Sequence, residues 1–589
     1  MRGIRSGLGA LALGLLLAGL WVAPAGAHAS LVSTDPAAGA TVTTSPAAVT
    51  LSFSEPVESA LGGVRLFDAR GRRVDGVGTP HRPAGASDVL TASLPDLDDG
   101  TYALTWRATS ADSHPVSGSF TFSVGAPSTS AAAAESLATR LLTEGGGSST
   151  VGVLAALARA GTFVGVTVLL GAAAFLVYAW PAGRADRRAR RVVWTVWWVA
   201  FVGTAAAFLL QGPYVAGLGL GSIFDTELWS GVRETRFGQV ALVRLVLLLL
   251  AVPLLRVLLV RRGPAVEHPL PQWWLAPALL VGLGLAATPG LAGHAATGSA
   301  IPLALTLDTL HVAAVGCWLG GLVLLLVPLA GRDEPTLRAV VPRYSQLALV
   351  SMLAIVLTGV AQAVRQVDAL SDLVDTDYGR LLSAKVLVVC VLLLVATVSR
   401  DVVNRRWRVP EPVLAAELVP AGSGPPLPAD EADEYPEGYV LDEPTAERRL
   451  RRSVWAELAI VAVVVALTAL LVNAPPPRQE SAKPFLATLP AETIEIETSL
   501  TPAAPGANEL HLTALTETGA VTDVIDMTAQ LALPEKGIAP IDVELLRAGI
   551  GHYISRDLTV PFAGDWELTV TALVTDVDSQ KASVTVPIR

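Results

Sequence analysis

Cysteine and methionine are almost missing from this chain. Its two cysteines, Cys317 and Cys390, both sit inside apolar runs, so the more polar segments hold no disulfides. No cysteine stands at the end of the N-terminal apolar stretch, which excludes a lipid-anchored lipoprotein. The three methionines, Met1, Met352 and Met527, are scattered, so no Met-rich stretch is present to collect a soft metal ion. Charged residues make up 16% of the chain and the formal net charge is −10. That leaves no basic surface and excludes nucleic acid as a partner. A Gly-rich phosphate loop with its lysine is also absent, so ATP hydrolysis by this chain is not expected.

What is abundant is apolar sequence. Hydrophobic residues fill 52% of 589 positions and gather in long runs, the pattern of an integral membrane protein flanked by water-soluble segments. Residues 1–27 read as a secretory signal: Arg2 and Arg5, an apolar run over 8–22, then Ala25 and Ala27 at the positions a signal peptidase reads. Eight later segments are long enough to cross a bilayer: 151–180, 192–212, 238–260, 272–292, 302–328, 345–364, 380–399 and 454–473. Arginines crowd the connections at 184–191, 261–268, 331–343 and 400–452, while the alternate connections are neutral or acidic, as at Asp368, Asp372, Asp375 and Asp377. The basic loops are therefore expected in the cytoplasm, with both ends of the mature chain outside a bacterial plasma membrane. The loop 400–452 is rich in Pro and Glu and reads as mostly disordered.

An internal echo runs through the helical part. Thr235-Arg236-Phe237-Gly238 followed by Arg244 matches Thr376-Asp377-Tyr378-Gly379 followed by Lys385, which suggests two parallel four-helix repeats. On either side of the helices the pattern is β. Residues 28–125 carry short alternating runs (49–53, 64–67, 89–94, 102–108, 119–124) separated by turns such as Asp98-Asp99-Gly100, as in an all-β Greek-key barrel or sandwich. A linker rich in Ala, Ser and Gly covers 126–150. Residues 475–589 hold seven alternating runs and read as an immunoglobulin-like β-sandwich, in which His511 and His552 are ordinary surface residues.

Cleavage after Ala27 makes His28 the first residue of the mature chain. Its free amine and imidazole then form a two-toothed chelate suited to a borderline-soft metal such as copper. The alternative is a cut a few residues away and an unremarkable histidine. In Ser110-Ala111-Asp112-Ser113-His114-Pro115-Val116-Ser117-Gly118, Asp112 and His114 are two apart and share a face if the backbone is extended. Added to His28 they give three nitrogens and one oxygen, a set suited to tetragonal Cu(II). The plain reading of that run is a solvated turn.

The stretches His28-Ala29-Ser30-Leu31, Leu51-Ser52-Phe53-Ser54-Glu55-Pro56-Val57, Gly100-Thr101-Tyr102 and Ser110 to Phe120 resemble the CopC family of exported copper-binding proteins over nearly all of 28–125. The resemblance implies Cu(II) held by His28, Asp112 and His114; with no methionine in the domain, a Cu(I) site there is not expected. Gly293-His294-Ala295 and the run Asp308-Thr309-Leu310-His311-Val312-Ala313-Ala314-Val315-Gly316-Cys317-Trp318-Leu319-Gly320-Gly321 resemble the CopD membrane family. Asp308 and His311 are i and i+3 on one helix, and ionisable groups inside a membrane-spanning segment mark either a pathway or a structural pair. His294, Asp308 and His311 are thus the candidate membrane path for copper. Gly316 and Gly320 are spaced for close helix packing. Gly564-Asp565-Trp566-Glu567-Leu568 resembles, over a short span, the YtkA- or FixH-like exported domains.

Together these features point to a non-enzymatic copper importer, capturing Cu(II) outside the membrane and passing copper inward through eight helices. A copper buffer or chaperone without transport is the second reading. A copper monooxygenase is the third, disfavoured because Asp112 would fill the position oxygen needs.

Overall fold

The computed structural model describes residues 29, 31–110, 115–125, 137, 140, 149–259, 269–293, 300–331, 334–366, 372–408, 440–473, 485–501, 503–516 and 521–588. The signal stretch, His28, Asp112, His114, His294, most of the 126–150 linker and the bulk of the 400–452 loop lie outside these residues. The chain forms two units. One is helical (Val153–Leu210 and Arg236–Ala474), and the other contains the β-sheets together with Gln211–Thr235.

Among its described residues the first β region has eight strands: β1 (Leu31–Asp35), β2 (Thr41–Val42), β3 (Ala48–Phe53), β4 (Val57–Asp68), β5 (Arg73–Val74), β6 (Val89–Ser93), β7 (Gly100–Ser110) and β8 (Pro115–Val124). They form a three-stranded sheet, β1-β3-β6, and a five-stranded sheet, β2-β8-β7-β4-β5. Alternation does the work: Val49, Leu51 and Phe53 of β3 face inward, against Leu90 and Ala92 of β6 and Leu66, Leu104, Trp106 and Phe122 of the other sheet. Phe53 meets Trp106 edge-on at 5.2 Å between ring centres. Gly118 lies beneath the same indole, where an added Cβ would stand 2.6 Å from Trp106 Cζ2.

The main helices are α1 (Ser149–Tyr178), α2 (Arg187–Ala216), the short α3 (Thr226–Glu234), α4 (Arg236–Leu258), α5 (Leu275–Leu291), α6 (Ile301–Leu329), α7 (Glu334–Gln366), α8 (Asp377–Trp407) and α9 (Glu443–Asn473); α3 and the end of α2 belong to the β-rich unit. Among the described residues seven helices (α1, α2 and α4 to α8) are long and apolar enough to cross a membrane. The eighth expected segment, 454–473, is the C-terminal part of the 31-residue helix α9. Helix α6 is central: 72% of its most apolar stretch is buried against other helices, compared with 11% for α8. Gly316 and Gly320 let it touch α1 backbone to backbone. A Cβ on Gly320 would stand 2.5 Å from the Val168 carbonyl oxygen and 2.7 Å from Gly171 Cα.

The sequence echo has a local structural counterpart. A short helix precedes both threonines, α3 before Thr235 and a single turn, Asp372–Asp375, before Thr376. Both threonines are buried and each opens a long helix; Thr376 Oγ1 caps α8 by accepting the Gly379 N–H at 3.0 Å.

Among its described residues the C-terminal region has nine strands where seven runs were expected: β9 (Phe485–Pro490), β10 (Ile494–Thr501), β11 (Gly506–Thr516), β12 (Asp526–Leu533), β13 (Ile538–Val543), β14 (Leu546–Gly549), β15 (His552–Val560), β16 (Gly564–Thr575) and β17 (Asp578–Ile588). Two sheets, β14-β15-β11-β10-β9 and β13-β12-β16-β17, enclose one core around Trp566. Strand β13 escapes pattern reading because it is a mostly exposed edge strand with Pro540 inside it.

Candidate metal sites

Strands β7 and β8 form a hairpin whose last pair is Thr109 with Pro115, so residues 111–114 connect its two ends. The Ala29 N–H donates to Ser110 Oγ at 3.2 Å, with Ser110 and Thr109 fully buried. The residue after His28 is therefore tied to the base of the connection that carries Asp112 and His114. The three candidate ligands themselves lie outside the described residues. This end of the sandwich also rests on residues 211–235. Arg107 Nη1 donates to the Val215 carbonyl at 3.3 Å, and the Leu61 side chain lies 2.6 Å from where a Cβ on Gly231 would stand.

In the helical unit Asp308 and His311 face different neighbours. The Asp308 carboxylate lies against α5, 2.5 Å from the position of a Cβ on Gly290. Two residues earlier on α5, Thr288 Oγ1 accepts from Arg244 Nε at 2.8 Å, so α4, α5 and α6 share one polar level. His311 turns to α7, with Nδ1 2.8 Å from Thr358 Oγ1. The Thr358 hydroxyl spends its single hydrogen on the Ala354 carbonyl at 2.6 Å. It must then accept from His311, which places the imidazole proton on Nδ1 and leaves Nε2 as the bare nitrogen, the form that binds metal. Lys385 of α8 is close enough for its charge to act on the ring. Helix α5 ends at Leu291, three residues before His294. Cys317 is half-buried and Cys390 exposed on the helical surface. Among the described residues, no three or more His, Cys, Asp or Glu side chains are gathered into a metal-holding group.

Three family models match this chain in order: CopC domain over residues 31–125, Copper resistance protein D-like N-terminal domain over 149–302, and Copper resistance protein D over 338–471. The chain belongs to the CopC–CopD fusion family. It is similar to the copper transport protein CutJ of Bacillus subtilis (strain 168), 23% identical over 583 residues that span 93% of this chain and 94% of CutJ. Copper resistance protein C of Xanthomonas campestris pv. juglandis is 37% identical over 116 residues, 19% of this chain and 90% of that protein. The crystal structure of CopC from Methylosinus trichosporium OB3b has 32% identity over 17% of this chain and 97% of its own, with a TM-score of 0.16. These relatives are named for copper handling and not for catalysis.

The matched CopC and CopD regions end at residue 471, and the C-terminal sandwich beyond them holds a pair that sequence reading missed. His511 Nδ1 lies 3.2 Å from His552 Nε2, with the rings stacked at 5.4 Å. Glu509 Oε1 is 3.3 Å from His511 Nε2, so this nitrogen carries a proton and Nδ1 accepts from His552. The two histidines are 41 residues apart on paired strands, and only the β11–β15 register brings them together. Burial, with the neighbouring His511 adding to it, pushes the His552 imidazole down to about 4, against a smaller opposite pull from Glu509. Because the folded value lies below the unfolded one of about 6.5, the stabilisation is complete above that pH and is lost as pH falls toward 4. The loss amounts to about 3 kcal/mol. Thermal melting of the C-terminal sandwich should therefore drop between pH 7 and 5. A His552→Gln variant should flatten that slope; an unchanged slope would show that another group titrates.

Proposed function

We propose that this CopC–CopD chain captures Cu(II) outside the cytoplasmic membrane through His28, Asp112 and His114 and imports copper through its helices. The Ala29–Ser110 hydrogen bond carries this reading, since it holds the start of the mature chain at the base of the Asp112–His114 connection. The ligand set suits Cu(II): an amine, two imidazoles and a carboxylate favour a tetragonal ion. Arginine-rich connections on one side support a topology of eight spans, with α9 as the last and both β regions outside. The C-terminal region then acts as an immunoglobulin-like exported sandwich. Within the membrane, His294, Asp308 and His311 form the entry path, with His311 Nε2 as the nitrogen offered to copper.

Copper accumulation by cells with matched amounts of protein tests the path. Replacing His311 by Ala should lower uptake at least about tenfold, the loss of roughly 1.4 kcal/mol of metal binding, and leave Cu(II) binding outside unchanged. Normal uptake at normal abundance would sink His311 as a path residue. The second reading, an external copper buffer that delivers metal without transport, predicts no difference in cellular copper between wild-type and protein-free cells.

A further inference from the structure

Helix α9 carries one carboxylate deep in the helical unit that neither the external copper site nor the His294–Asp308–His311 path uses. Glu457 is 3% exposed, yet it borders a cavity of about 170 Å³ between α6, α7, α8 and α9. The other lining side chains that matter are Trp318, Tyr344, Met352, Ser399 and Arg400. Ser399 Oγ donates to Glu457 Oε1 at 2.5 Å, and the Trp318 indole donates to the same carboxylate. Both donors are neutral. The cation in the wall is directed elsewhere: Arg400 Nη1 bonds the Ser345 carbonyl at 3.3 Å. Tyr344 spends its hydroxyl proton on the Trp318 carbonyl at 2.8 Å. Among the described residues no basic side chain forms an ion pair with Glu457.

The cavity lies on the same interface as His311. On α6, Trp318 follows His311 by seven residues, about 10 Å along the axis, and on α7 Met352 precedes Thr358 by six, about 9 Å. At the cavity level Trp318 and Met352 belong to one buried apolar layer with Val168, Leu319, Leu392 and Val461. Met352 thus belongs both to this layer and to the cavity wall.

A buried glutamate held only by neutral donors takes up one positive charge, a proton or a monovalent cation that displaces it, since an isolated charge at that depth is costly and a matched one is not. A thioether on the same wall selects a soft ion. We propose that this cavity is a Cu(I) site, with the Glu457 carboxylate and the Met352 sulfur as its ligands and Ser399 and Trp318 as positioning residues. Its place as the inner stage of a path rests on the import reading; its ability to hold the ion does not.

Two measurements on the full-length protein separate these. Titration with Cu(I) against a chromophoric chelator, without oxygen, counts sites irrespective of transport, and copper uptake into vesicles measures flux. Glu457→Gln keeps the shape and removes the charge; Met352→Leu keeps the volume and the carboxylate. Each should lose one Cu(I) equivalent and at least about tenfold in uptake, with the protein still present and folded. If Glu457→Gln fails to fold, Met352→Leu and Ser399→Ala decide the matter. Wild-type stoichiometry in the variants would overturn the site. Loss of the equivalent together with no uptake by the wild type would retain the site and remove the import reading.

Discussion

Adding one residue ahead of His28 in the proposed mature chain should weaken its Cu(II) binding about a hundredfold, roughly 2.7 kcal/mol. The proposed chelate takes an amine and an imidazole from the same residue. With an extra residue the amine moves one Cα step away, about 3.8 Å, and an amide that binds metal far less readily takes its place. The α-amine also loses its proton readily, with a reference pKa of about 7.7–8.0, so it competes well near neutrality. The Ala29–Ser110 hydrogen bond ties down the residue after His28, so a longer chain has to break it to restore the proposed geometry. Competition with a chelator of known affinity measures the change, and the Cu(II) electron spin resonance spectrum should lose one nitrogen. Equal affinity for the extended and native chains would refute the N-terminal chelate. Ser110→Ala, which frees Ala29 but leaves the amine in place, should cost less.

The second large effect concerns folding. Gly320→Val should destabilise the helical unit by about 3 kcal/mol or more and remove most folded protein from the membrane. The cause lies in the atoms a side chain would strike. At Gly320 the obstacles are the Val168 carbonyl oxygen at 2.5 Å and Gly171 Cα at 2.7 Å, which are backbone atoms of α1 with no rotamer to change. Relief requires α1 and α6 to separate, and α6 is the most buried of the seven long apolar helices. Gly282→Ala is the matched control, since its Cβ would meet only the Leu170 Cδ2 methyl at 3.6 Å. Melting of the detergent-solubilised protein should distinguish the two clearly. A Gly320 variant as stable as Gly282→Ala would show that the helices yield at little cost.

Much of this architecture was legible because the signals are local. The run at 238–260 became α4 at Arg236–Leu258, and the alternation at 49–53 became the inward-facing Val49, Leu51 and Phe53. Gly316 and Gly320 declared a close helix contact through their spacing alone, although nothing in the sequence named α1 as the partner. Helix α3 went unread because nine amphipathic residues between two spans look like any polar connection. Glu457 was overlooked for a different reason: one carboxylate among some twenty apolar residues barely changes a hydropathy reading. Its meaning comes from Ser399, 58 residues away. The expected partnership of Asp308 with His311 rested on i, i+3 spacing. The structure turns Asp308 toward α5 and His311 toward α7, since which helix lies on either side is a tertiary fact.

At one end of the helical unit, Arg406 bridges Glu334 at 3.0 Å and Glu443 at 3.7 Å, joining the first turns of α7 and α9 to the last turn of α8. The Leu441 N–H donates to the Arg405 carbonyl at 3.1 Å, and Arg406 Nη1 reaches the Leu441 carbonyl, 35 residues further along the chain. The polypeptide therefore leaves the bundle and re-enters it at one clasp. Loop-closure entropy grows only logarithmically, so doubling the excursion costs about 0.6 kcal/mol. Evolution can lengthen, shorten or rewrite that excursion with little consequence for the helices, which makes it the natural berth for a grafted module or a regulatory sequence.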